Sequence, residues 1–221
     1  MNRQLFFELI PAMPQEDRTR IQWAYALAKK WHEDQKRDFG GRYFEHVRNV
    51  ALVLIKFGYT DPAYLILAIL HDMIEDQFFP PSMLERLFGH EIARELLVVA
   101  KTYPIEDPLT GRMFRSPKRP LKEYFEAIRR AGKRPAVAKC ADRIDNMSDL
   151  VDPPNGSRWT PQKRLRKVAE TRKEIIPLAD LHDSAMASRL RELCDLIEQN
   201  VRLQRSRKIA ARRVRKAGSK R

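Results

Sequence analysis

Four ionisable side chains crowd the stretch "LHDMIEDQF", where His71 and Asp72 are followed by Glu75 and Asp76. An imidazole and three carboxylates this close are suited to holding a divalent cation and to moving the proton of a water. Left unpaired and buried they would be costly, so they must face water, pair with cations or hold a metal. On a helix His71 and Glu75 stand one turn apart, as do Asp72 and Asp76, which puts all four on one face. An acidic last turn also runs against the helix macrodipole, an arrangement that a bound cation offsets. The bland alternative is a polar helix end lying in solvent.

The element that carries them argues against that alternative. Eight apolar residues, Ala63 to Leu70, lead into the cluster without a break. One helix is predicted from Pro62 to Asp76, started by Asp61-Pro62 and buried until its end opens on a cavity. Two further stretches add ligand types. "GGRYFEHVRNVALVL" sets His46 beside Val47, Val50 and Leu54, where a lone histidine is more often a core residue than a ligand. "VAKCADRIDNMSDL" lines up Asp142, Asp145, Asn146 and Asp149 along one helical stripe, with Val137, Ala141, Ile144 and Val151 on another. Two imidazoles and two or three carboxylates suit manganese, iron, magnesium or zinc and differ from a Cys-rich structural zinc site.

The rest of the chain reads as helix, because apolar residues recur at spacings of three and four; the expected class is all-α. Helices are predicted over Gln15–Trp31, Tyr43–Gly58, a short segment capped by Ser82 and Glu85 and closed by Gly89, His90–Thr102, Leu121–Ala131, Pro135–Val151 and Gln162–Ile176. A break or kink is expected at Pro177, with helix continuing from Leu178 into the basic tail. Tyr103–Pro120 holds four prolines and a glycine and is predicted to be a long loop that covers the substrate. Cys140 and Cys194 form no CxxC pair and read as core fillers in a reducing compartment. The apolar run is far too short to cross a membrane and the N-terminus has no leader pattern, so a soluble, cytoplasmic protein is expected.

The net charge of +14 is unevenly placed. Ten of the 43 Lys/Arg and none of the 29 acids fall in residues 201–221, so residues 1–200 carry only +4. The chain therefore divides into one domain over residues 1–200 and a basic tail over 201–221, expected to be disordered or a fraying helix. Such a tail attracts RNA, DNA or anionic surfaces without sequence preference.

"YFEHV", "LHDMIED" and "KCADRIDNM", in that order, resemble the HD-domain metal-dependent phosphohydrolases, whose fold is a helical bundle. More narrowly they are similar to the hydrolase domain of the RelA/SpoT family and the small alarmone hydrolases. The likeness covers roughly Gln22 to Asp180 and includes "LERLFGHEIA" and "ETRKEIIPLADL". It implies metal ligands His46, His71, Asp72 and Asp142, with manganese the usual ion. It further implies catalytic acids Glu75 and Asp76, Asn146 near the sugar and phosphate of the substrate, and Arg37 packed on the guanine base. The implied reaction removes the 3′ diphosphate of guanosine tetra- or pentaphosphate (ppGpp, pppGpp), leaving GDP or GTP and pyrophosphate. Arg42, Arg48, Lys139 and Arg143 are the cations nearest in sequence for clamping that pyrophosphate.

Asp38, Val47, Ser148 and Asp149 depart from the residues common in that family, and they bear on which nucleotide is taken. Two alternatives stand beside the leading reading: the same site acting on a deoxynucleotide, cyclic nucleotide or dinucleotide phosphate, and a nucleic-acid-associated protein that binds through its tail. "DLHDSA" repeats the His-Asp pair without the following acids, so His182 and Asp183 read as ordinary helix residues. His32 and His90 read as surface or cap residues.

Overall fold

A computed structural model describes residues 3–38, 40–154 and 157–218, with side chains to residue 206. Helix α1 (Arg3–Glu8) presses Phe6 and Phe7 onto Tyr25 of α2 (Gln15–Trp31), with ring centroids 5.2 and 5.3 Å apart. Helix α3 (Phe44–Lys56) ends two residues before Gly58, whose φ of 84° turns the chain. Helix α4 (Pro62–Leu70) starts on Asp61, whose side chain accepts a hydrogen bond from the Ala63 amide. From Leu65 to Leu70 every residue of α4 is fully buried, because α2, α3, α7 (His90–Val99) and α9 (Lys133–Val151) surround it. It is the central shaft of the bundle.

The predicted single helix to Asp76 is broken. Helix α4 stops at Leu70, His71 and Asp72 form a turn, and α5 (Met73–Gln77) follows. Nδ1 of His71 lies 2.7 Å from the Ala68 carbonyl oxygen, the acceptor that the Asp72 amide would take in a continuous helix. Asp72 sits at φ −97°, ψ 0°, at the edge of the helical region, and α5 starts on it, with the Asp76 amide donating to the Asp72 carbonyl at 2.8 Å.

Helix α6 (Pro81–Phe88) is closed by Gly89 at φ 92°, as expected, but its first turn makes no side-chain cap hydrogen bond. The Ser82–Glu85 capping box is therefore corrected: Pro81 already occupies the first position, so Ser82 lies inside the helix. Between residues 103 and 120 the predicted loop contains a small antiparallel hairpin, β1 (Pro104–Glu106) with β2 (Met113–Arg115). Strands of three residues are too short for alternation to be read from sequence. Apart from this hairpin and an isolated bridge between Lys36 and Arg42, the regular elements of the described residues are helices.

Helix α8 (Leu121–Ala131) and α9 follow as predicted, apart from two extra residues at the start of α9. Helix α10 (Pro161–Glu170) passes through a π-helical turn at Thr171–Ile175 into α11 (Ile176–Asp180). Pro177 cannot donate to the ladder, and the wide turn just before it absorbs the misfit, so of the two expected outcomes the chain distorts there and does not break. The real break comes at residues 181–183. His182 and Asp183 lie in that turn rather than in a helix, and Asp183 accepts a hydrogen bond from the Met186 amide in the first turn of α12 (Ser184–Gly218).

Helix α12 packs along α9 and carries Met186, Leu190, Leu193 and Ile197 into the core. Its backbone runs through position 201, where the domain and tail were expected to divide. The expected nucleic-acid contact rests largely on residues 207–221, whose side chains lie outside the described residues. Cys140 and Cys194 are buried and free, as expected. Among the described residues no helix is long and apolar enough to cross a membrane.

Candidate functional site

Helix α3 delivers His46, the turn after α4 delivers His71 and Asp72, and α9 delivers Asp142 to one point. Ligand atoms of His46, His71 and Asp142 lie within 4.8 Å of one another, and all three residues are buried. Nδ1 of His46 is 2.7 Å from Asp145 Oδ2, and Nδ1 of His71 is 2.7 Å from the Ala68 carbonyl. A carbonyl only accepts, so Nδ1 of His71 carries the proton and its Nε2 presents a lone pair in the neutral ring. That lone pair faces Asp72 Oδ2 at 2.9 Å, and His46 Nε2 faces Asp142 Oδ1 at 3.3 Å and Asp72 Oδ2 at 3.6 Å.

Acceptors pointed at acceptors repel unless a positive charge lies between them. His71 Nε2 is buried and has no hydrogen-bond partner. Burial should hold both imidazoles neutral, yet Asp142, Asp145 and Asp72 raise the pKa of His46 and Asp72 raises that of His71. The cluster demands a cation. Two imidazole nitrogens oriented through their far nitrogens, plus two carboxylates, fit a divalent metal.

The surrounding groups hold this arrangement. Lys139 Nζ donates to Asp142 Oδ2 at 2.5 Å, Asn146 donates to Asp142 Oδ1, and Tyr43 Oη donates to Asp72 Oδ2 at 2.6 Å. Glu75 and Asp76 stand on the far side of the turn. Glu75 Oε2 accepts from the Lys101 amide at 2.9 Å, while Arg115 of the hairpin donates to its main-chain carbonyl. Asp76 Oδ2 accepts from Gln35 at 2.8 Å. Burial, then the charge of Asp72, pushes the Asp76 carboxyl up from its ordinary value.

A cavity of about 430 Å³ opens beside the cluster, with Arg37, Asp38, Asp76, Asn146, Trp159 and Lys167 in its wall. Arg37 is ion-paired to Asp145 and Asp149, each at 3.0 Å. Its edges are thus occupied and its planar face is the part left to stack. Asp38 pairs with Arg158 at 2.6 Å and accepts from Trp159 Nε1 at 2.8 Å. Both carboxylates that departed from the family pattern, Asp38 and Asp149, are neutralised by partners.

A second, open cavity of about 1030 Å³ meets the first at Lys167 and is lined by Lys101, Lys118, Lys122, Arg166 and Lys173 among others. Burial, then Arg143, brings the Lys167 ammonium down to about 7 although Glu170 lies 3.3 Å away. Lys139, then burial, lowers Lys101 as well. The wall of this cavity holds eight Lys/Arg against Glu126, Glu170 and Glu174, an excess of positive charge that favours an incoming anion. Of the four cations near in sequence, only Lys139 is at the centre. Arg143 is buried against Glu170 and Thr171, and Arg42 and Arg48 line a different cavity.

His32 caps the C-terminal end of α2, as expected, but it does not lie at the surface: it is fully buried, with Nδ1 2.7 Å from Gln35 Oε1. Its surroundings come from α5 and Tyr43, which helical spacing around residue 32 cannot reveal. His90 is exposed in the first turn of α7, the surface position expected of it, and lies 2.9 Å from Glu85. Gln35, Tyr43, Lys101 and Lys167 were missed. Only Tyr43 had a visible cue, standing one turn before His46.

Residues 24–173 match the family model described as HD domain. The chain belongs to the HD-domain family. This HD domain is 34% identical over 170 residues to a bifunctional (p)ppGpp synthase/hydrolase SpoT of Escherichia coli, covering 76% of this chain and 22% of that one. It is 32% identical over 183 residues to a probable GTP pyrophosphokinase of Mycobacterium leprae, covering 83% and 21%. The chain therefore spans about a fifth of the length of these relatives. A solved structure described as a metazoan ortholog of SpoT that hydrolyses ppGpp shares the fold, with TM-score 0.65 and 24% identity over 83% of this chain and 96% of that one. An HD domain implies a divalent metal, and the buried His–His–Asp group is where it fits.

Proposed function

We propose that the chain hydrolyses guanosine 3′,5′-bis(diphosphate) and its pentaphosphate, releasing pyrophosphate and leaving GDP or GTP. The observation that carries the reading is the junction of three parts: a cation-demanding cluster, a cavity with a fixed guanidinium face, and a basic cavity for phosphates. The relatives named as (p)ppGpp synthase/hydrolases support it.

His46, His71, Asp72 and Asp142 would hold the metal, with Mn²⁺ the expected ion. When bound, it supplies Lewis acidity toward a phosphoryl oxygen and eases deprotonation of a water at neutral pH. Asp76, its carboxyl raised, takes the proton of the attacking water. Glu75, tied to the Lys101 amide, orients that water. The face of Arg37 packs on the guanine, and Asn146 lies near the ribose and 3′ phosphate. Lys101, Lys139 and Lys167 draw charge onto the leaving pyrophosphate. The hairpin that bears Arg115 lies over Glu75 and acts as the cover of the site. The cytoplasm, where guanosine nucleotides occur, is the expected location.

Purified protein with Mn²⁺ is incubated with ppGpp, deoxynucleoside triphosphates, cyclic nucleotides and dinucleotide phosphates, with Asp72→Ala as the control. Turnover of ppGpp alone supports the reading. Turnover of another member with ppGpp untouched replaces the substrate, and no metal-dependent turnover removes the enzyme.

A further inference from the structure

A pair of glutamines and a buried histidine meet behind Asp76. Gln35 Nε2 donates to Asp76 Oδ2 at 2.8 Å. The other end of the same amide, Oε1, lies 2.7 Å from His32 Nδ1 and accepts from Gln77 Nε2 at 2.5 Å. His32 Nδ1 and Gln77 Nε2 approach each other at 3.1 Å, as two donors converging on one acceptor do. Burial keeps the His32 ring neutral, and a neutral ring with Nδ1 protonated is the tautomer that this acceptor selects. The ring is fixed in turn by Tyr43, stacked at 5.1 Å and 28°, whose hydroxyl holds Asp72.

We propose that Gln35, locked by His32 and Gln77, is the positioning residue for Asp76. It rests on the reading of Asp76 as the group that takes the proton of the water. Two donors on Oε1 leave the amide a single orientation, so its N–H must point at the carboxylate. A flipped amide would set an oxygen against an oxygen. The bond engages Oδ2 and, with the Tyr43 hydroxyl that also reaches Asp76, restricts rotation of the carboxylate. An amide donor does this without bringing a full positive charge, which would strip the carboxylate of its basicity. The Tyr43 bridge joins this network to the metal cluster, so the proton acceptor and the cation site are indexed to one another through His32.

The test replaces Gln35 with Leu, a change at a half-buried position outside the apolar core. Two measurements are made: steady-state kinetics across pH, and NMR titration of the ¹³C-labelled Asp76 carboxyl, which needs no turnover. The expected kcat falls by about ten- to a hundredfold with KM within about twofold, and the acid limb of kcat moves to higher pH. The carboxyl titrates at higher pH than in the parent protein. His32→Asn, whose amide N–H can replace Nδ1–H, retains more kcat than His32→Leu. An Asp76 titration identical in parent and Gln35→Leu overturns the proposal whatever the substrate. A shifted titration without ppGpp turnover upholds the network and counts against the proposed reaction instead.

Discussion

Nε2 of His71 lies 2.9 Å from Oδ2 of Asp72, with the far nitrogen of the ring already committed to the Ala68 carbonyl. Both residues lie in the turn between α4 and α5. The hydrogen bond that orients the His71 ring is thus made at the point where α4 ends.

The cluster predicts that a divalent ion stabilises the fold. With free Mn²⁺ at about a hundred times its dissociation constant, the gain is about 2.7 kcal/mol, or roughly 5–10 °C in melting temperature for a chain this long. Calorimetry with and without chelator measures it. His46→Ala and Asp142→Ala should melt at the same temperature in either condition.

Arg37 is held by Asp145 and Asp149, so loosening one partner should disturb stacking without touching the chemistry. Asp149→Asn is expected to raise KM for a guanosine nucleotide by about three- to tenfold with kcat nearly unchanged. Arg37→Ala should do more in the same direction. An unchanged KM in both variants would detach Arg37 from the substrate.

Lys167 titrates at about 7 in the free protein. Its ammonium is present below that pH and is lost as pH rises through it, so affinity for a polyphosphate should weaken between about pH 6 and pH 8. Bound phosphates hold the proton on, which confines the effect to kcat/KM. Lys167→Arg should flatten this limb, because guanidinium keeps its charge. Lys167→Met should lower kcat/KM at pH 6 and leave little further loss at pH 8.

Arg115 ties the hairpin to the Glu75 carbonyl and lies 5.3 Å over the Phe78 ring. Arg115→Ala is expected to raise KM several-fold and to increase amide exchange over residues 103–116. A protein in which exchange rises but KM does not would make the hairpin a brace and not a cover.

Helix periodicity made the bundle legible in the sequence, whereas the ligand set His46, His71, Asp72 and Asp142 came from the resemblance carried by the three motifs. Hydrophobic spacing reports where a helix packs, and α2, α3 and α8 fell where it placed them. It does not report a histidine that takes its own helix's carbonyl, which is why the break at His71 was missed. The supporting groups were hidden for another reason. Gln35 reaches Asp76, and Lys101 reaches Glu75, only after the bundle has formed. Asp38 and Asp149 looked misplaced beside phosphates because their partners, Trp159, Arg158 and Arg37, are brought to them by the turn after α9 and by the loop before α3.

The most direct test of the central claim is the identity of the products. Protein with Mn²⁺ and ppGpp is followed by ³¹P NMR, beside Asp72→Ala and a chelated sample. Free pyrophosphate and GDP are expected in equal amounts, with their release slowed by about a thousandfold or more in both controls. Orthophosphate as the product, loss of the 5′ diphosphate in place of the 3′, or turnover that survives chelation would contradict it.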